Sequence, residues 1–524
     1  MNRIVLSGLM VLLAYGLQAQ HPVTGRVYED ANGNGRLDRK EKGIAGVGLS
    51  NGRDVVLTDR DGKYEIALHE GDVLFVIKPA GYQYPVNKDQ LPQFYYSHKP
   101  QGSPSLKYAA SSPTGPVPKS IDFGLYRTAD SDTFSMVVFS DPQPYSEQEL
   151  DWYGKVVEQE LPFLKRHSFG ISLGDLTGDR PDFFEALNRH TAKAGIPWFH
   201  VIGNHDLNFD ATEQRYSDES FERVYGPSTY AFNHGKVHFI VMHNILYPNT
   251  KTGSFYVGGL TDEQLRFLAN NLLHVPKDRL VVLMMHIPLY NPPGWGISFL
   301  PEVRRQLFDL LKDYPFTFSM SGHMHLQRHD FFGAEQDWLR PEPHHHYTVG
   351  TIGGDWWSGS PDENGIPDAI MYDGTPKGFN IITFEGTNYR WDYKVAGASA
   401  DERMRVFHPI VYQQGKNHRA DIYVNFYQGS QQDSVFCSWD GVVWNKMRYV
   451  VEPDPYSYMV STLWDISDPL PEGRRPSQPL ECRHLWKARP GRLPEAGEHT
   501  LFVKAYQRGW VFEASSRVKV KGND

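Results

Sequence analysis

The sequence predicts a multidomain protein in which a central α/β domain is flanked by two small β-sandwich domains. The chain has 524 residues, enough for roughly three domains of about 100 to 200 residues each. Between residues 133 and 396, buried strands alternate with amphipathic helices, a pattern typical of an α/β core. On both sides of that stretch, short apolar runs are separated by Gly, Asn and Asp turns, which favours β-sheets.

Composition excludes several classes of protein. The net charge of -9 provides no basic surface, so nucleic acid is not expected as a partner. Two cysteines are too few for a disulfide scaffold, and a hydrophobic share of 40% argues against disorder. The 22 histidines are not explained by composition alone.

The N-terminus predicts a signal peptide over residues 1–19. A positive residue, Arg3, precedes an apolar run over 4–17, and small or neutral residues lead to a cleavage point after Ala19. The alternatives are a buried first helix and a retained anchor. We therefore expect an exported protein, periplasmic or extracellular, with no later membrane-spanning segment. Export would allow Cys437 and Cys482 to pair, and the sequence leaves that pairing open.

The flanking domains are predicted at residues 20–126 and 400–522. The first ends at a Pro-rich connection over 111–118, which has little capacity to bury apolar surface. Strands are predicted within the two domains at 54–58, 64–68, 73–77, 420–427, 435–439 and 499–506.

The first of these domains contains a twelve-residue pattern typical of a calcium-binding loop, with Gly35 at its sharp turn. No helix flanks the loop, so we expect a structural ion on a β scaffold; the alternative is a polar hairpin turn without an ion. The predicted ligands are the side chains of Asp30, Asn32, Asn34, Asp38 and Glu41 and the carbonyl of Arg36.

In the central domain, predicted over 133–396, polar side chains follow five separate buried strands, predicted at 134–140, 169–173, 198–202, 279–285 and 316–320. Capping boxes that begin at Ser146 and Thr261 predict the starts of two amphipathic helices that cover the sheet. Open α/β sheets build their sites at the carboxyl ends of their strands, so these side chains are expected to lie together. Asp, Asn and His in one cluster suit divalent ions such as Mn, Fe or Zn, and there are too many ligands for one tetrahedral ion. The candidate ligands are Asp141, Gln143, Asp175, Asn204, His286, His323 and His325.

The order Asp-x-Gln, Gly-Asp-x-x-x-Asp, Gly-Asn-His-Asp, His and Gly-His-x-His resembles the calcineurin-like metallophosphoesterase superfamily. The three-part layout is similar to that of secreted Bacteroidetes-type members. The resemblance implies a four-layer sandwich, with two sheets packed face to face and helices outside. It also implies that Asp141 and His325 bind the first metal, that Asp175 bridges, and that the second metal has the ligands Asn204, His286 and His323.

The same resemblance implies hydrolysis by a metal-bridging hydroxide, with His205 as general acid or phosphoryl stabiliser. Asp179 or Asp206 would orient the His205 ring, and the motif favours Asp179. Most members have His where this chain has Gln143, a weaker and neutral ligand, which puts the occupancy of the first metal in question.

We expect an exported hydrolase of phosphate mono- or diesters; the alternative is a non-catalytic protein that binds a surface glycan or phospholipid head group. Loops on the rim could contact a small-molecule or surface substrate, although their aromatic residues could equally pack between domains. A histidine run over 344–346, between two prolines, predicts an exposed loop before a strand at 347–352. The candidate substrate contacts are Trp295, Trp356, Trp357 and Lys377.

Overall fold

The computed structural model describes residues 21–248, 255–292, 294, 299–416 and 420–522. The predicted signal peptide over 1–19 and the candidate contact Trp295 lie outside the described residues. Within the described part, no helix combines the length and the apolar character that crossing a membrane requires.

The N-terminal unit is a sandwich of two sheets, with strand orders β4–β1–β8–β6 and β3–β2–β5–β7. Val27, Leu49, Ile66, Leu74 and Phe75 are fully or almost fully buried in its core. The strands are β1 His21–Glu29, β2 Gly48–Ser50, β3 Val55–Leu57, β4 Lys63–Leu68, β5 Val73–Ile77, β6 Tyr82–Gln83, β7 Tyr95–Ser97 and β8 Phe123–Arg127.

The central unit alternates strands and helices, as its sequence predicts. The strands are β9 Thr133–Phe139, β10 Phe169–Leu173, β11 Trp198–Val201, β12 Tyr230–His234, β13 Val237–Val241, β14 Ile245–Leu246, β15 Val257–Gly258, β16 Leu280–Met284, β17 Thr317–Ser321, β18 Arg328–Phe332, β19 His344–Thr348, β20 Gly378–Glu385 and β21 Asn388–Val395. The helices are α1 Glu147–Leu164, α2 Phe184–Thr191, α3 Glu219–Tyr225, α4 Asp262–Leu272 and α5 Pro301–Leu311. Single 3-10 turns cover Pro181–Phe183, Ala192–Ala194, Asn204–Asp206, Gln214–Tyr216 and Ala334–Gln336.

Two sheets form the middle layers of this unit, with orders β11–β10–β9–β20–β21 and β12–β13–β16–β17–β19–β18. Their inner faces meet through aromatic side chains: Phe169 lies edge-on to Phe232 and Phe239, with ring centroids 5.7 and 5.6 Å away. Apolar residues of α1 and α2 share a core cluster with the outer face of the first sheet, and those of α4 and α5 cluster with the second. The predicted four-layer sandwich is therefore confirmed.

Capping boxes fix the beginnings of the two helices where the sequence predicts them. The Ser146 hydroxyl accepts from the N–H of Glu149 before α1, and the Thr261 hydroxyl accepts from Gln264 before α4. In each case the acidic or amide side chain also accepts from the N–H of the capping residue, so two otherwise unpaired donors of the first turn are satisfied.

The C-terminal unit is a second sandwich, with orders β22–β24–β28–β27 and β23–β30–β29–β25–β26. Cys437 and Cys482 are both buried and free, and no disulfide joins them. Its elements are β22 Met404–Phe407, β23 Val411–Gln413, β24 Ile422–Phe426, β25 Ser434–Ser438, β26 Asn445–Lys446, β27 Arg448–Pro453, α6 Pro455–Ile466, β28 Glu481–Ala488, β29 Gly497–Gln507 and β30 Trp510–Lys521.

Buried ionic contacts join each sandwich to the central unit. Lys99 of the N-terminal part donates to the carboxylates of Glu219 and, at 2.6 Å, Glu222 on α3. On the other side, His484 Nε2 lies 2.9 Å from Asp373 Oδ2, and both side chains are buried. Charged side chains that are buried in this way hold the three units at fixed positions on one another.

The histidine run at 344–346 is a correction to the sequence-based prediction of an exposed loop. The three histidines form most of β19, and all are buried. The imidazoles of His344 and His346 bond to hydroxyls of the neighbouring strand β17, His344 to Thr317 and Ser319 and His346 to Ser319 and Ser321, at 2.7 to 3.0 Å. His345 instead bonds to His329 and to the hydroxyl of Tyr389, each at 2.9 Å. Hydroxyl partners on the adjacent strand allow imidazoles to be buried without charge.

Candidate metal centre

The predicted ligands converge because the strands that precede them are parallel neighbours. In the first sheet β9, β10 and β11 are parallel, and in the second β13, β16, β17 and β19 are parallel. Side chains that follow these strands therefore come together at one edge of the sandwich. The strands end just before Asp141, Asp175, Asn204, His286 and His323.

The structure arranges the seven candidates in two groups that match the division implied by the motifs. In one group the ligand atoms of Asp175, His286 and His323 lie within 4.8 Å of one another, and Asn204 Oδ1 is 3.0 Å from His286 Nε2. In the other, His325 Nε2 lies 3.0 Å from Gln143 Oε1 and 3.7 Å from Asp141 Oδ1. All of these side chains are buried except His323, which is partly exposed.

The chemistry of the group around His286, which the resemblance assigns to the second metal, fits a bound cation. His286 Nδ1 lies 2.8 Å from the carbonyl of Leu173, which can only accept, so the ring proton is at Nδ1. Nε2 faces two oxygen acceptors, Asn204 Oδ1 at 3.0 Å and Asp175 Oδ1 at 3.2 Å. A positive charge is needed among these three atoms, and it is supplied either by a second ring proton or by a metal ion that displaces that proton.

The group around His325, assigned to the first metal, likewise has one ring nitrogen bonded to a backbone carbonyl and the other facing oxygen atoms. His325 Nδ1 lies 2.6 Å from the carbonyl of Gly354, which fixes its proton there and turns the lone pair of Nε2 toward Gln143 and Asp141. A ligand imidazole that donates its other nitrogen to a carbonyl is the usual arrangement in metal sites. Gln143 is oriented as well, because its amide nitrogen donates to the hydroxyl of Tyr145 at 3.1 Å. The residues present therefore fit two divalent ions.

Close backbone approach allows the ligand loops to meet. A Cβ at Gly203 would lie 1.9 Å from the backbone nitrogen of Asp175, and one at Gly322 would lie 2.0 Å from Ser140 Oγ. Neither distance is sterically tolerable for a side chain, so glycine is required at both positions. These contacts bring loops from four different strands, β9, β10, β11 and β17, to one point.

Asp175 is the carboxylate with the strongest charge interactions with the neighbouring histidines. Burial would raise the pKa of this carboxyl, but the neighbouring charges of His286, His205 and His323 lower it overall. When no metal is bound, burial lowers the pKa of His286, but Asp175, Asp141 and the carbonyl of Leu173 together raise it to about 9. Asp175 is ionised and attracts a cation, either the proton of His286 or a metal ion.

His205 lies beside the ligands without belonging to either group. Its backbone N–H donates to Asp175 Oδ1 at 2.9 Å, and its ring Nδ1 lies 2.7 Å from Asp179 Oδ1. Asp206 is not the orienting partner, because its buried carboxylate accepts from the backbone N–H groups of Gly203, Leu176 and Thr177. The structure thus pairs His205 with Asp179, the partner that the motif favours, and leaves Nε2 as the nitrogen available to a substrate.

Three aromatic side chains, Tyr145, Tyr256 and Trp356, border the predicted ligands, and only Trp356 was predicted from the sequence. Tyr145 packs edge-on against His205, with centroids 5.9 Å apart, and Tyr256 packs edge-on against His323 at 6.3 Å. Trp356, a predicted substrate contact, stacks on His325 at 4.0 Å. Tyr145 follows Gln143 by two residues and could have been found from that spacing, whereas nothing in the sequence distinguishes Tyr256.

Burial corrects the prediction for two other candidate contacts. Trp357 has 2% of its surface exposed and donates from Nε1 to the carbonyl of Pro142 at 2.8 Å. Lys377 is 8% exposed and donates from Nζ to the carbonyl of Pro367 at 2.7 Å. Both side chains use their polar atoms inside the protein, so they support the rim rather than face a substrate.

The predicted calcium loop folds back on itself. Asp30 accepts from the N–H groups of Gly33, Asn34 and Gly35, and Gly35 has the left-handed φ of 71° that the pattern requires. Elsewhere in the loop the Glu41 carboxylate accepts from Ala31 and Asp38. Among the described residues, the carboxylates of Asp30, Asp38 and Glu41 do not meet within 4.8 Å, so the calcium site stays a prediction.

Three family models match this chain. The model described as calcineurin-like phosphoesterase matches residues 134–327, which include all seven candidate ligands and His205. The models for the N terminal and the C terminal of calcineurin-like phosphoesterase match residues 31–108 and 346–512. The last match begins within β19, so the predicted boundary near residue 400 stays a prediction. A search of the curated proteins finds no match.

Solved structures with a similar arrangement include two phosphatases. A dimetal phosphatase from Danio rerio is 14% identical with a TM-score of 0.33, covering 49% of this chain and 98% of its own. The purple acid phosphatase PPD1 from yellow lupin is 14% identical with a TM-score of 0.37, covering 73% of this chain and 68% of its own. At such scores these likenesses add no argument to the family matches.

Proposed function

Because the chain belongs to the calcineurin-like phosphoesterase family, and so is a metal-dependent phosphoric ester hydrolase, we propose that it hydrolyses phosphate mono- or diesters outside the cytoplasm. The observation that supports this most strongly is the convergence of His286 Nε2 with the oxygens Asn204 Oδ1 and Asp175 Oδ1. The pair of His205 and Asp179 lies beside these atoms. The geometry combines a cation-binding group with a side chain that can donate a proton.

The residues divide the chemistry as follows. Two divalent ions, when bound, supply a nucleophile from water near neutral pH and offset the charge of the phosphoryl oxygens. Asp175, beside His286 and His323, would contribute negative charge to the bound ions. The carbonyls of Leu173 and Gly354 accept from Nδ1 of His286 and His325, so Nε2 of each ring is the nitrogen that would bind a metal. The identity of the metals, among Mn, Fe and Zn, is part of the proposal.

His205 provides the proton. Burial lowers the pKa of His205, but the charges of Asp175 and Asp179 together outweigh burial and raise the pKa to about 9. The imidazole is therefore protonated at neutral pH, and because Nδ1 is bonded to Asp179, the proton at Nε2 is available to the leaving oxygen of the ester. Asp179 keeps the ring turned in this direction.

Reconstitution with defined metals tests the proposal. The full chain, stripped with a chelator and reloaded with Mn²⁺ or Zn²⁺, is expected to regain two metal equivalents and activity together. The substrates are 4-nitrophenyl phosphate and bis(4-nitrophenyl) phosphate, which separate monoesterase from diesterase activity. A protein that binds two equivalents and hydrolyses neither these nor a wider panel of phosphoesters would contradict the proposal and favour the non-catalytic binding protein.

Export is the second part of the proposal, and the N-terminal sequence supports it. Expression of the full chain in a Gram-negative host should place the protein in the periplasmic fraction, with an N-terminal sequence that begins at Gln20. Recovery of uncleaved chain in the cytoplasm or the membrane fraction would contradict this part alone and would leave the hydrolase assignment unchanged.

A further inference from the structure

A segment of the C-terminal unit reaches the rim of the metal centre. After α6 the chain runs over residues 467–480 along the central unit before it enters β28. Three hydrogen bonds from backbone N–H groups fix this segment. They join Gly359 N to Arg474 O at 2.7 Å, Ser477 N to Asp355 Oδ2 at 2.7 Å, and Leu480 N to Tyr372 O at 2.9 Å.

The contact depends on glycine at residue 473. Gly473 has a φ of 108°, and a Cβ there would lie 2.1 Å from the carbonyl oxygen of Gly359. Any side chain would push the segment away from the central unit. The close approach therefore places the next residue, Arg474, at a defined position on the rim.

Arg474 lies beside a ligand of the first metal. Its Nη1 donates to the carbonyl of Trp356 at 3.4 Å, and the Trp356 ring stacks on His325 with centroids 4.0 Å apart. Tyr372 packs edge-on against Trp356 at 5.6 Å, and its backbone N–H donates to the carbonyl of His325 at 3.3 Å. One cation and two aromatic rings thus surround the outer side of His325.

The charge of Arg474 is not neutralised by a carboxylate. The side chain is exposed, and within the described chain no Asp or Glu forms an ion pair with it. The adjacent Arg475, in contrast, forms a two-pronged ion pair with Asp465 at 2.6 and 2.7 Å.

We propose that Arg474, Trp356 and Tyr372 form a subsite for an oxyanion of the substrate, a second phosphate or a carboxylate, beyond the phosphoryl group that is hydrolysed. A guanidinium without an ion partner binds these planar or tetrahedral oxyanions through paired N–H groups. The aromatic rings would contact the part of the substrate between the two anionic groups. This inference rests on the proposed function, because it assigns the substrate class of the same centre.

Calorimetric binding to the full-length, metal-loaded protein tests the subsite without turnover. The probes are the non-hydrolysable phosphonate analogues of butyl phosphate, butane-1,4-diol bisphosphate and 4-(phosphonooxy)butanoate, in which a CH₂ group replaces each ester oxygen and which differ only in the distant group. At pH 7.5, the analogue of the bisphosphate or of the carboxylate is expected to bind at least about tenfold more tightly than that of butyl phosphate. The better of the two shows which oxyanion the subsite selects.

Variants then assign that preference to one side chain. Arg474→Ala should reduce the ratio of the two affinities to near one, Arg474→Lys should keep part of it, and Gly473→Ala, which displaces the segment but keeps the charge, should also reduce it. Arg475→Ala is the matched control and should keep the wild-type ratio. Melting temperature and metal content confirm that each variant is folded and loaded.

The inference is overturned if the wild-type protein shows no preference, if Arg474→Ala keeps it, or if Arg475→Ala loses as much. These results are separable from failure of the proposed function. A protein that binds the bisphosphate analogue through Arg474 but hydrolyses no phosphoester has the subsite without the activity. One that hydrolyses butyl phosphate with no Arg474-dependent preference has the activity without the subsite.

Discussion

The ligand residues adopt a backbone conformation that is unusual for residues other than glycine. Asp141, Gln143, Asp175, His323 and His325 have φ values of 46°, 42°, 48°, 75° and 49°. Each such residue costs about 1 kcal/mol or more, and it persists only where its surroundings impose it. The tight turns after each strand direct successive side chains back to a common point. Sequence identifies the residue types but not this conformation: Asp and His adopt it more often than most residues other than glycine, yet they do so only where a tight turn imposes it.

Replacement of His205 separates proton donation from metal binding. Because His205 bonds to Asp179 and belongs to neither ligand group, His205→Ala should lower kcat by about 10² to 10⁴ while two metal equivalents are retained. Asp179→Asn should give a smaller loss of kcat, since the ring keeps a hydrogen-bonding partner without its charge. Steady-state kinetics and plasma mass spectrometry measure both effects. Loss of a metal from His205→Ala would show that His205 is a ligand.

We expect Gln143 to contribute to the binding of the first metal. Its Oε1 faces His325 Nε2 at 3.0 Å, so Gln143→Leu removes one ligand atom with little change in volume. We expect metal content after dialysis against a weak chelator to fall from two equivalents toward one, and activity to fall with it. Gln148→Leu, on the exposed side of α1, is the matched control. Retention of two equivalents by Gln143→Leu would mean that the amide is not a ligand.

The buried histidines of β19 show why residue-level prediction failed there. A histidine run between prolines is typical of an exposed loop, and nothing within the run indicates otherwise. The partners that satisfy these imidazoles, Ser319 and Ser321, lie 25 to 27 residues away on β17. Whether a polar run is buried thus depends on which strand pairs with it, and that pairing is not encoded locally.

At the scale of elements, the strands and capped helices of the central unit were predictable because their patterns are local. β10 runs over Phe169–Leu173 as predicted, and β9, β11, β16 and β17 agree within one or two residues. Parallel strands that end in polar residues then bring those residues to one edge. Tyr145 was missed although its spacing of two residues from Gln143 could have indicated it, whereas the position of Tyr256 beside His323 depends on contacts that no local pattern predicts.

The loop over 30–41 gives a prediction for one element. If it binds calcium, millimolar Ca²⁺ should raise the melting temperature of the protein, because a ligand at about 100 times its Kd stabilises the folded state by about 2.7 kcal/mol. Asp30→Ala should abolish the response, since Asp30 accepts from three backbone N–H groups of the loop. Asp59→Ala, in another turn of the same sandwich, should keep it. An unchanged melting temperature in the wild-type protein would indicate a turn without an ion.

At the scale of the whole molecule, the division into a central α/β unit and two β units was predictable, but the contribution of the C-terminal unit to the rim was not. Arg474 lies 118 residues from Trp356, and only the docking of the two units brings them together. The ligand motifs could be recognised because their spacing is a property of one domain. Contacts between domains leave no comparable pattern, so the sequence favoured a centre built entirely by the middle unit.

The docking of the C-terminal unit should depend on acidity through Asp373. Burial raises the pKa of this carboxyl, but His484 and the N–H groups of Gln327 and Thr375 lower it below its ordinary value. A depressed pKa in the folded state adds stability that is complete above the unfolded pKa of about 3.9 and is lost as pH falls through the folded value. Asp373→Asn should therefore destabilise the protein by about 2 kcal/mol at pH 7.

That difference in stability should be constant from pH 7 to about pH 5 and shrink as the pH falls from about 4 toward 2, because the carboxyl of the unfolded chain takes up a proton first and that of the folded chain follows. Thermal melts of both proteins across this range measure the effect. Asp465→Asn, an exposed carboxylate paired with Arg475, should leave the melting curve unchanged and serves as the control. A destabilisation by Asp373→Asn that is constant over the whole range would mean that shape or hydrogen bonding, and not the charge of Asp373, joins the two units.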